Sequence, residues 1–202
     1  MAEDAVTIFI CVTPSYDHWL ARSVSAITTS KAQTYYPVDV SIIKFDDGEK
    51  VWDMFQQALD ICETPYYAII GADDFIGPGY IEESMRGIQG RDAIAAGSTR
   101  SWLISDEKCE NEQIGVYDGW VSGVWDTEIA RNLGGYRKPD HGGDHGCAAL
   151  LAEKACQSGF KCAMSEARQY YYRIWSGSVS KPDPSIEEKI RRRKPGVMLE
   201  LV

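Results

Sequence analysis

The 202-residue sequence lacks the features that mark membrane proteins and small disulfide-bonded proteins. No stretch approaches the roughly 18 consecutive apolar residues of a membrane-spanning helix. The first residues include Glu3 and Asp4 instead of the basic segment and long apolar run of a signal peptide. None of the six cysteines forms a C-x-x-C pair, and the chain is too long for a small disulfide-stapled domain. We therefore expect a cytoplasmic protein with free thiols.

Several phosphate-binding and catalytic signatures are also missing. The sequence contains neither G-x-G-x-x-G nor G-x-x-x-x-G-K-[ST], which disfavours the dinucleotide-binding fold and the P-loop. The absence of G-x-S-x-G disfavours an α/β-hydrolase. A net charge of -9 disfavours broad, non-specific binding to nucleic acids. The basic segment 189–194 is either a solvated helix face or a local contact for phosphate.

The first half of the chain alternates between apolar runs and amphipathic stretches. Continuous apolar runs are typical of strands buried on both faces, and spacings of three and four are typical of helices. The pattern predicts four strands, at Val6–Val12, Val38–Phe45, Tyr66–Ile70 and Ala93–Gly97, and three helices, around Leu20–Ile27, at Val51–Cys62 and from Pro78 onward. This alternation predicts an α/β fold with a mostly parallel central sheet flanked by helices.

The second half of the chain is less regular. We expect a loop or an irregular hairpin over residues 100–117. Helices are predicted at Thr127–Leu133, which ends at two glycines, and at Cys147–Gln157. Tyr170–Arg173 is predicted to be a strand, and residues 181–202 a C-terminal tail.

Four aspartates follow predicted strands: Asp46 and Asp47 after the second, Asp73 and Asp74 after the third. Ligands of parallel α/β sheets bind beyond the carboxyl ends of the strands, which is where these side chains are expected. Asp73 and Asp74 suit Mg²⁺ or Mn²⁺, which prefer carboxylate oxygens and leave positions open for phosphate; the alternative is an acidic turn that caps a helix. Asp46 and Asp47 suit a nucleobase or ribose, or simply a strand-to-helix turn.

Two later segments carry further candidates. The loop Asp140–Gly146 holds two acids and two histidines, and a carboxylate or imidazole there can accept a proton from an acceptor hydroxyl. The loop is alternatively a solvated polar segment, and its spacing matches no standard zinc pattern. In the segment 170–180, Arg173 can pair with phosphate and Trp175 can stack on a sugar or base. The alternative is an edge strand with amphipathic aromatics.

These pieces, in this order, resemble the family-2 glycosyltransferases of the GT-A fold. The resemblance covers residues 6–180 and rests on six segments: Val6–Tyr16, Val40–Gly48, Tyr66–Asp74 with the following Pro78–Ile81, Ser122–Tyr136, Gly143–Asp144 leading to Ser158–Phe160, and Tyr172–Ser180. It implies one GT-A-like domain over residues 1–180. Residues 6–97 form its nucleotide-sugar-binding half and residues 98–180 its acceptor-side half.

The resemblance also implies site residues. The expected metal ligands are Asp73 and Asp74 for Mn²⁺ or Mg²⁺, with His141 and His145 as further candidates, and the expected catalytic base is Asp144. The residues expected at the nucleotide sugar are Pro14, Tyr16, Asp46, Asp47, Asp73, Arg173 and Trp175.

The sequence departs from the family pattern at three of these places. Gly71 stands where the first acid of the Asp-x-Asp motif is usual, Gly143 where a glutamate is usual, and Trp175 where a metal-binding histidine is common. The base role therefore falls on Asp144 alone.

The function expected from this resemblance is inverting, metal-dependent transfer of a hexose or pentose from a nucleotide-sugar donor, UDP- or another NDP-sugar. The acceptor hydroxyl belongs to a glycan, a lipid carrier, a protein or a modified DNA base. A nucleotidyltransferase and a catalytically inactive sugar-nucleotide- or partner-binding domain are the alternatives.

Overall fold

The structure is a computed structural model that describes residues 4–14, 20–89, 93–98, 100–105, 112–118, 123–139, 146–165 and 169–174. Within these ranges the chain forms, in order, β1 (Val6–Val12), α1 (Leu20–Lys31), β2 (Val38–Lys44), α2 (Val51–Ile61), β3 (Tyr66–Gly71), β4 (Phe75–Ile76), α3 (Tyr80–Ile88), β5 (Ala93–Ser98), β6 (Arg100–Ser105), β7 (Glu112–Asp118), β8 (Gly123–Asp126), α4 (Thr127–Asn132), α5 (Gly146–Gln157), β9 (Lys161–Ser165) and β10 (Tyr170–Ile174). Among these residues no helix has the length and apolar character needed to cross a bilayer.

A six-stranded sheet in the order β2-β1-β3-β8-β5-β9 forms the centre of the molecule. Strand β1 lies between β2 and β3 and is parallel to both. Strands β5 and β9 are also parallel to each other. Because β2 and β3 flank β1, the carboxyl ends of all three strands meet at one edge of the sheet, which we call the carboxyl edge. The predicted α/β fold with a mostly parallel sheet is confirmed.

The sheet differs from a simple β-α-β succession at one strand. Strand β8 lies between β3 and β5 and is antiparallel to both. Its sequence, Gly-Val-Trp-Asp, is only four residues long, which is too short for an alternating pattern to be recognised. Val124 and Trp125 are nevertheless buried there. The four strands predicted in the first half of the chain are present, but the third and fourth are separated by this insertion.

A second sheet, in the order β4-β10-β6-β7, stands beside the first. The segment predicted as a loop or irregular hairpin is the antiparallel pair β6 and β7, with a register shift between Leu103 and Ile104. Strand β10 is parallel to β6 and antiparallel to the two-residue strand β4. Since β4 begins directly after Asp74, this pairing places β10, the strand predicted at Tyr170–Arg173, beside the acidic turn that contains Asp73 and Asp74.

Alternating side chains of the central strands fill two separate cores. Phe9, Tyr67 and Ile69 face α2, α4 and α5, whereas Ile8, Ala68 and Ile70 face the opposite layer, to which α3 belongs. Ile10 meets Ala26 of α1 in a small third cluster. Burial on both faces explains why these strands read as continuous apolar runs.

A buried pair of tyrosines joins the central sheet to the segment after α4. The hydroxyls of Tyr67 and Tyr136 lie 2.9 Å apart, and Tyr136 also packs edge-on against Phe55 of α2, with ring centres 5.3 Å apart. The backbone N–H of Tyr136 donates to the side-chain oxygen of Gln56 at 2.7 Å. Residue 136 is thus held through its backbone, its ring and its hydroxyl.

We predict that Tyr67→Phe and Tyr136→Phe each lower the free energy of unfolding by about 1–3 kcal/mol, because each leaves the other buried hydroxyl without its partner. The double variant is expected to cost less than the sum of the two single costs, since no hydroxyl then remains unpaired. Urea unfolding of the wild type, the two single variants and the double variant measures this difference in cost. Tyr36→Phe, at a side chain that is 89% exposed, is the control and is expected to change little. Strictly additive costs would contradict the pairing.

Candidate nucleotide-sugar site

The carboxyl edge brings together the segments that follow β1, β2 and β3. Strand β1 ends at Val12 and leads to Thr13 and the exposed Pro14. The backbone N–H of Phe45, just after β2, donates to the carbonyl oxygen of Val12 at 2.8 Å and ties the two segments together. Neighbouring strands lie about 4.8 Å apart, so the segments after β2 and β3 are separated by roughly 10 Å. The edge is therefore narrow enough for one ligand to reach all three segments.

Asp46 and Asp47 occupy the turn after β2, and both are exposed to solvent. The turn is closed by a backbone hydrogen bond from Glu49 to Asp46 at 3.3 Å. Gly48 has φ of +96°, a left-handed conformation that glycine adopts at no steric cost. Helix α2 begins three residues later, at Val51. The predicted position of these two acids at the edge is thus the one observed.

Asp73 and Asp74 lie in the tight turn between β3 and β4, but their environments differ. Asp73 is half-buried, whereas Asp74 is only 5% exposed. The Tyr170 hydroxyl donates to one carboxyl oxygen of Asp74 at 2.7 Å, and the backbone N–H of Arg173 donates to the other at 2.9 Å. Burial and the nearby charge of Asp73 raise the pKa of Asp74 to about 8, although both hydrogen bonds act in the opposite direction.

Arg173 lies against the same turn. The residue is 3% exposed, and its Nε donates to the backbone carbonyl of Asp73 at 2.7 Å. The guanidinium carbon lies 5.9 Å from the centre of the Phe75 ring, within range of a cation–π contact. The structure thus places Arg173, which the sequence predicts to contact the nucleotide sugar, beside the acidic turn.

Gly71 explains how the turn accommodates two carboxyl groups. A Cβ atom at this position would lie 2.8 Å from a carboxyl oxygen of Asp74 and 3.2 Å from one of Asp73. The space next to Gly71, where the resembling family carries an acid, is thus taken by the side chains of the two following acids.

Two residues of this arrangement were not singled out as site residues from the sequence. Tyr170 contacts Asp74 across a separation of 96 residues, and no local pattern signals such a pair. Gln169 supports the segment after the turn, because its side-chain oxygen accepts from Gly79 N–H at 2.9 Å and its backbone oxygen accepts from Gly77 N–H at 2.7 Å. The aromatic run 170–172 was the available signal, and it indicated only a strand.

Five predicted site residues lie outside the described residues: Tyr16, His141, Asp144, His145 and Trp175. Their roles stay predictions. The described chain resumes at Gly146, where α5 begins, and Cys147 and Leu151 of that helix are buried in the core with Phe9 and Tyr67.

The chemistry of the acidic turn fits a divalent ion that is bound partly by protein carboxylates and partly by the oxygens of a diphosphate. Within the described ranges no group of three or more histidine, cysteine or acidic side chains is placed to hold a metal by itself. Mg²⁺ and similar ions are often held by one or two carboxylates, with substrate phosphates and water completing the shell. The half-buried Asp73, beside the buried Asp74, meets that requirement.

The fold is similar to that of solved glycosyltransferases. A mannosyltransferase from Pyrobaculum calidifontis, in complex with GDP-Man and Mn²⁺, matches with a TM-score of 0.61 over 85% of this chain and 57% of its own, at 11% identity. TarS 1–349 from S. aureus, in complex with UDP-GlcNAc, matches with a TM-score of 0.58 over 93% of this chain and 64% of its own, at 9% identity. This chain thus spans less than two thirds of either protein.

At these identities the likeness shows the fold, which is the GT-A-like glycosyltransferase fold that the sequence predicted. No family model matches the chain, and no curated protein matches it.

We predict that Tyr170→Phe lowers the free energy of unfolding by about 1–3 kcal/mol, because the buried carboxyl of Asp74 loses a hydrogen-bond donor. Tyr171→Phe is the matched control. The Tyr171 ring stacks on Phe75 with centres 4.3 Å apart, a contact that phenylalanine keeps, so this change is expected to cost less than about 0.5 kcal/mol. Denaturant unfolding compares the two variants, and equal costs would argue against a structural role for the Tyr170 hydroxyl.

Proposed function

We propose that this chain is a glycosyltransferase that moves a hexosyl or pentosyl group from a nucleotide-sugar donor to an acceptor hydroxyl, with inversion at the anomeric carbon. The observation that carries the proposal is the convergence of Asp73, Asp74 and Arg173 at the carboxyl edge of a GT-A-like sheet. The solved proteins of similar fold support a nucleotide-sugar donor, because they were captured with GDP-Man and UDP-GlcNAc.

The donor nucleotide is proposed to lie over the ends of β1 and β2. The exposed carboxylates of Asp46 and Asp47 can accept hydrogen bonds from the base or ribose, and Pro14 follows the end of β1, the strand beside β2. Tyr16 and Trp175 are proposed to complete the donor site, the latter by stacking on the sugar or base.

The diphosphate is proposed to lie over the turn after β3. The turn formed by Asp73 and Asp74 would hold Mn²⁺ or Mg²⁺, and His141 and His145 are further candidates for the ligand set. Such an ion supplies Lewis-acid stabilisation of the negative charge on the departing nucleoside diphosphate. Arg173 brings a fixed positive charge to the same turn, since its Nε is bound to the Asp73 carbonyl and its orientation is set.

Asp144 is proposed to be the catalytic base. The chain on one side of it is anchored at Tyr136, and on the other side α5 begins at Gly146. Helix α5 connects through three residues to β9, which is parallel to β5 and hence to β1, so α5 begins toward the carboxyl edge. Asp144 would accept the proton of the acceptor hydroxyl. The acceptor oxygen then bonds to the anomeric carbon as the bond to the diphosphate breaks on the opposite side.

We predict that UDP-GlcNAc or GDP-Man, in the presence of Mn²⁺, stabilises the protein against heat. A donor present at about 100 times its Kd adds roughly 2.7 kcal/mol, which corresponds to a rise in Tm of about 5–10 °C for a chain of this size. The Asp46→Ala/Asp47→Ala double variant is expected to lose most of this rise. Asp39→Ala, an exposed acid near the other end of β2, should keep it. A screen of NDP-sugars in which none shifts Tm would count against a donor site.

We predict that Asp144→Asn lowers kcat for transfer by about 10²–10⁴-fold while the donor-dependent rise in Tm is kept, because only the proton acceptor is removed. Transfer is measured as the release of nucleoside diphosphate in the presence of glycan, lipid-carrier, protein or modified-DNA acceptors. Asp140→Asn, at another acid four residues earlier in the sequence, is the control and is expected to retain turnover. Wild-type turnover in Asp144→Asn would reject the base assignment, and a product with retained anomeric configuration would reject inversion.

The alternatives give different outcomes in the same assays. A nucleotidyltransferase would consume a nucleoside triphosphate and a sugar 1-phosphate. A binding domain would show the donor-dependent rise in Tm without release of nucleoside diphosphate on any acceptor.

A further inference from the structure

The two adjacent acids of the turn after β3 do not present their carboxyl groups in the same way. Asp74 is turned into the protein: the residue is 5% exposed, and each of its carboxyl oxygens accepts a hydrogen bond from β10. Asp73 is half-buried, and its backbone carbonyl accepts the hydrogen bond from Arg173 Nε. If both residues bound the same ion in the same way, we would expect them to be similarly exposed to solvent, and they are not.

Strand β10 contacts the turn and the strand that follows it through three residues. Arg173 binds Asp73 through its side chain and Asp74 through its backbone N–H, and the Tyr170 hydroxyl binds Asp74 from the other side. Beyond the turn, Tyr171 pairs with Phe75 in the β4–β10 register, and their rings are stacked at an interplanar angle of 10°. Among these contacts, the side chain of Asp74 is the group that accepts two hydrogen bonds from β10.

The glycine at position 71 belongs to the same arrangement. The Asp74 carboxyl oxygen that binds Tyr170 is the atom that a Cβ at position 71 would meet at 2.8 Å, a distance that real Cβ contacts essentially never show. A larger side chain at position 71 would therefore have to displace the carboxyl group from Tyr170. The missing acid at position 71 and the inward-turned Asp74 are mutually dependent features of this turn.

We propose that Asp74 is a positioning residue that ties the acidic turn to Tyr170 and Arg173, and that Asp73 alone presents its carboxylate to the divalent ion and donor diphosphate. Gly71 is required because it leaves room for the Asp74 carboxyl group. This inference rests on the proposed function for its ligand, but the assignment of Asp74 is also testable without one. It has the consequence that restoring an acid at position 71 does not restore a better site.

The test compares Asp73→Asn, Asp73→Ala, Asp74→Asn, Asp74→Ala and Gly71→Asp with the wild-type chain, using Mn²⁺ with UDP-GlcNAc or GDP-Man as the probe. Free Mn²⁺ is measured by electron paramagnetic resonance during titration, and the thermal midpoint is measured without any ligand. Asp74→Asn keeps an oxygen for the Arg173 N–H and a polar group for Tyr170, so its Mn²⁺ affinity should stay within about threefold of wild type. Asp73→Asn should lose at least about tenfold with an unchanged midpoint.

Asp74→Ala and Gly71→Asp should each lower the midpoint without ligand and weaken Mn²⁺ binding, because both break the contact with Tyr170. The inference is overturned if Asp74→Asn loses as much Mn²⁺ affinity as Asp73→Asn with an unchanged midpoint, or if Gly71→Asp tightens Mn²⁺ binding. If the wild-type chain binds no donor with Mn²⁺, the proposed function fails. In that event the midpoints still decide the role of Asp74, since a positioning role requires Asp74→Ala to unfold at a lower temperature than Asp73→Ala and equal midpoints overturn it.

Discussion

The site depends on one buried contact, the carboxyl group of Asp74 between Tyr170 and the backbone of Arg173. Burial of a carboxyl group is costly unless its oxygens are hydrogen-bonded, and here both oxygens are. The contact joins the end of β3 to a strand 96 residues further along the chain, in the other sheet. It fixes the turn that carries Asp73 and brings the charge of Arg173 beside it. The geometry of the acidic turn is therefore a tertiary property and not a local one.

The central sheet determines where such a turn can act. Because β1 lies between two parallel neighbours, the segments after β1, β2 and β3 emerge at the same edge. The chain adds β2 on one side of β1 and β3 on the other, and ligands of such sheets bind at the point between these two sides. Exposed acids after β2 and a clamped acidic turn after β3 then lie within about two strand spacings of each other. That arrangement offers polar groups for a nucleoside at one end and for a diphosphate at the other. A donor bound along the edge would use both.

Much of this could be predicted from the sequence, because buried parallel strands leave a strong local signal. The runs at Val6–Val12 and Tyr66–Gly71 are buried on both faces and were identified as strands, and so was the position of the acids that follow β2 and β3. Strand β8 was missed because four residues are too few to show a period, and its insertion separates strands that were expected to follow one another. The strands β4 and β9, which were not predicted either, are also short.

The inward orientation of Asp74 could not be predicted, since Asp73 and Asp74 are chemically identical and adjacent. Only the pairing of β4 with β10 decides which of the two is buried. Gly71 looked like the loss of an acid, whereas its surroundings show that its place is filled. Long-range pairs of this kind leave no trace in the periodicity of a single sequence.

We propose that a donor and a divalent ion bind together at the carboxyl edge beside Asp73. The most direct measurement is paramagnetic broadening of backbone amide signals by Mn²⁺ in the presence of a nucleotide sugar. The account predicts that the strongest broadening falls on residues 71–74 and 173, with weaker effects on residues 46–48. Broadening centred on another part of the chain, such as the β9 edge of the sheet, would contradict it.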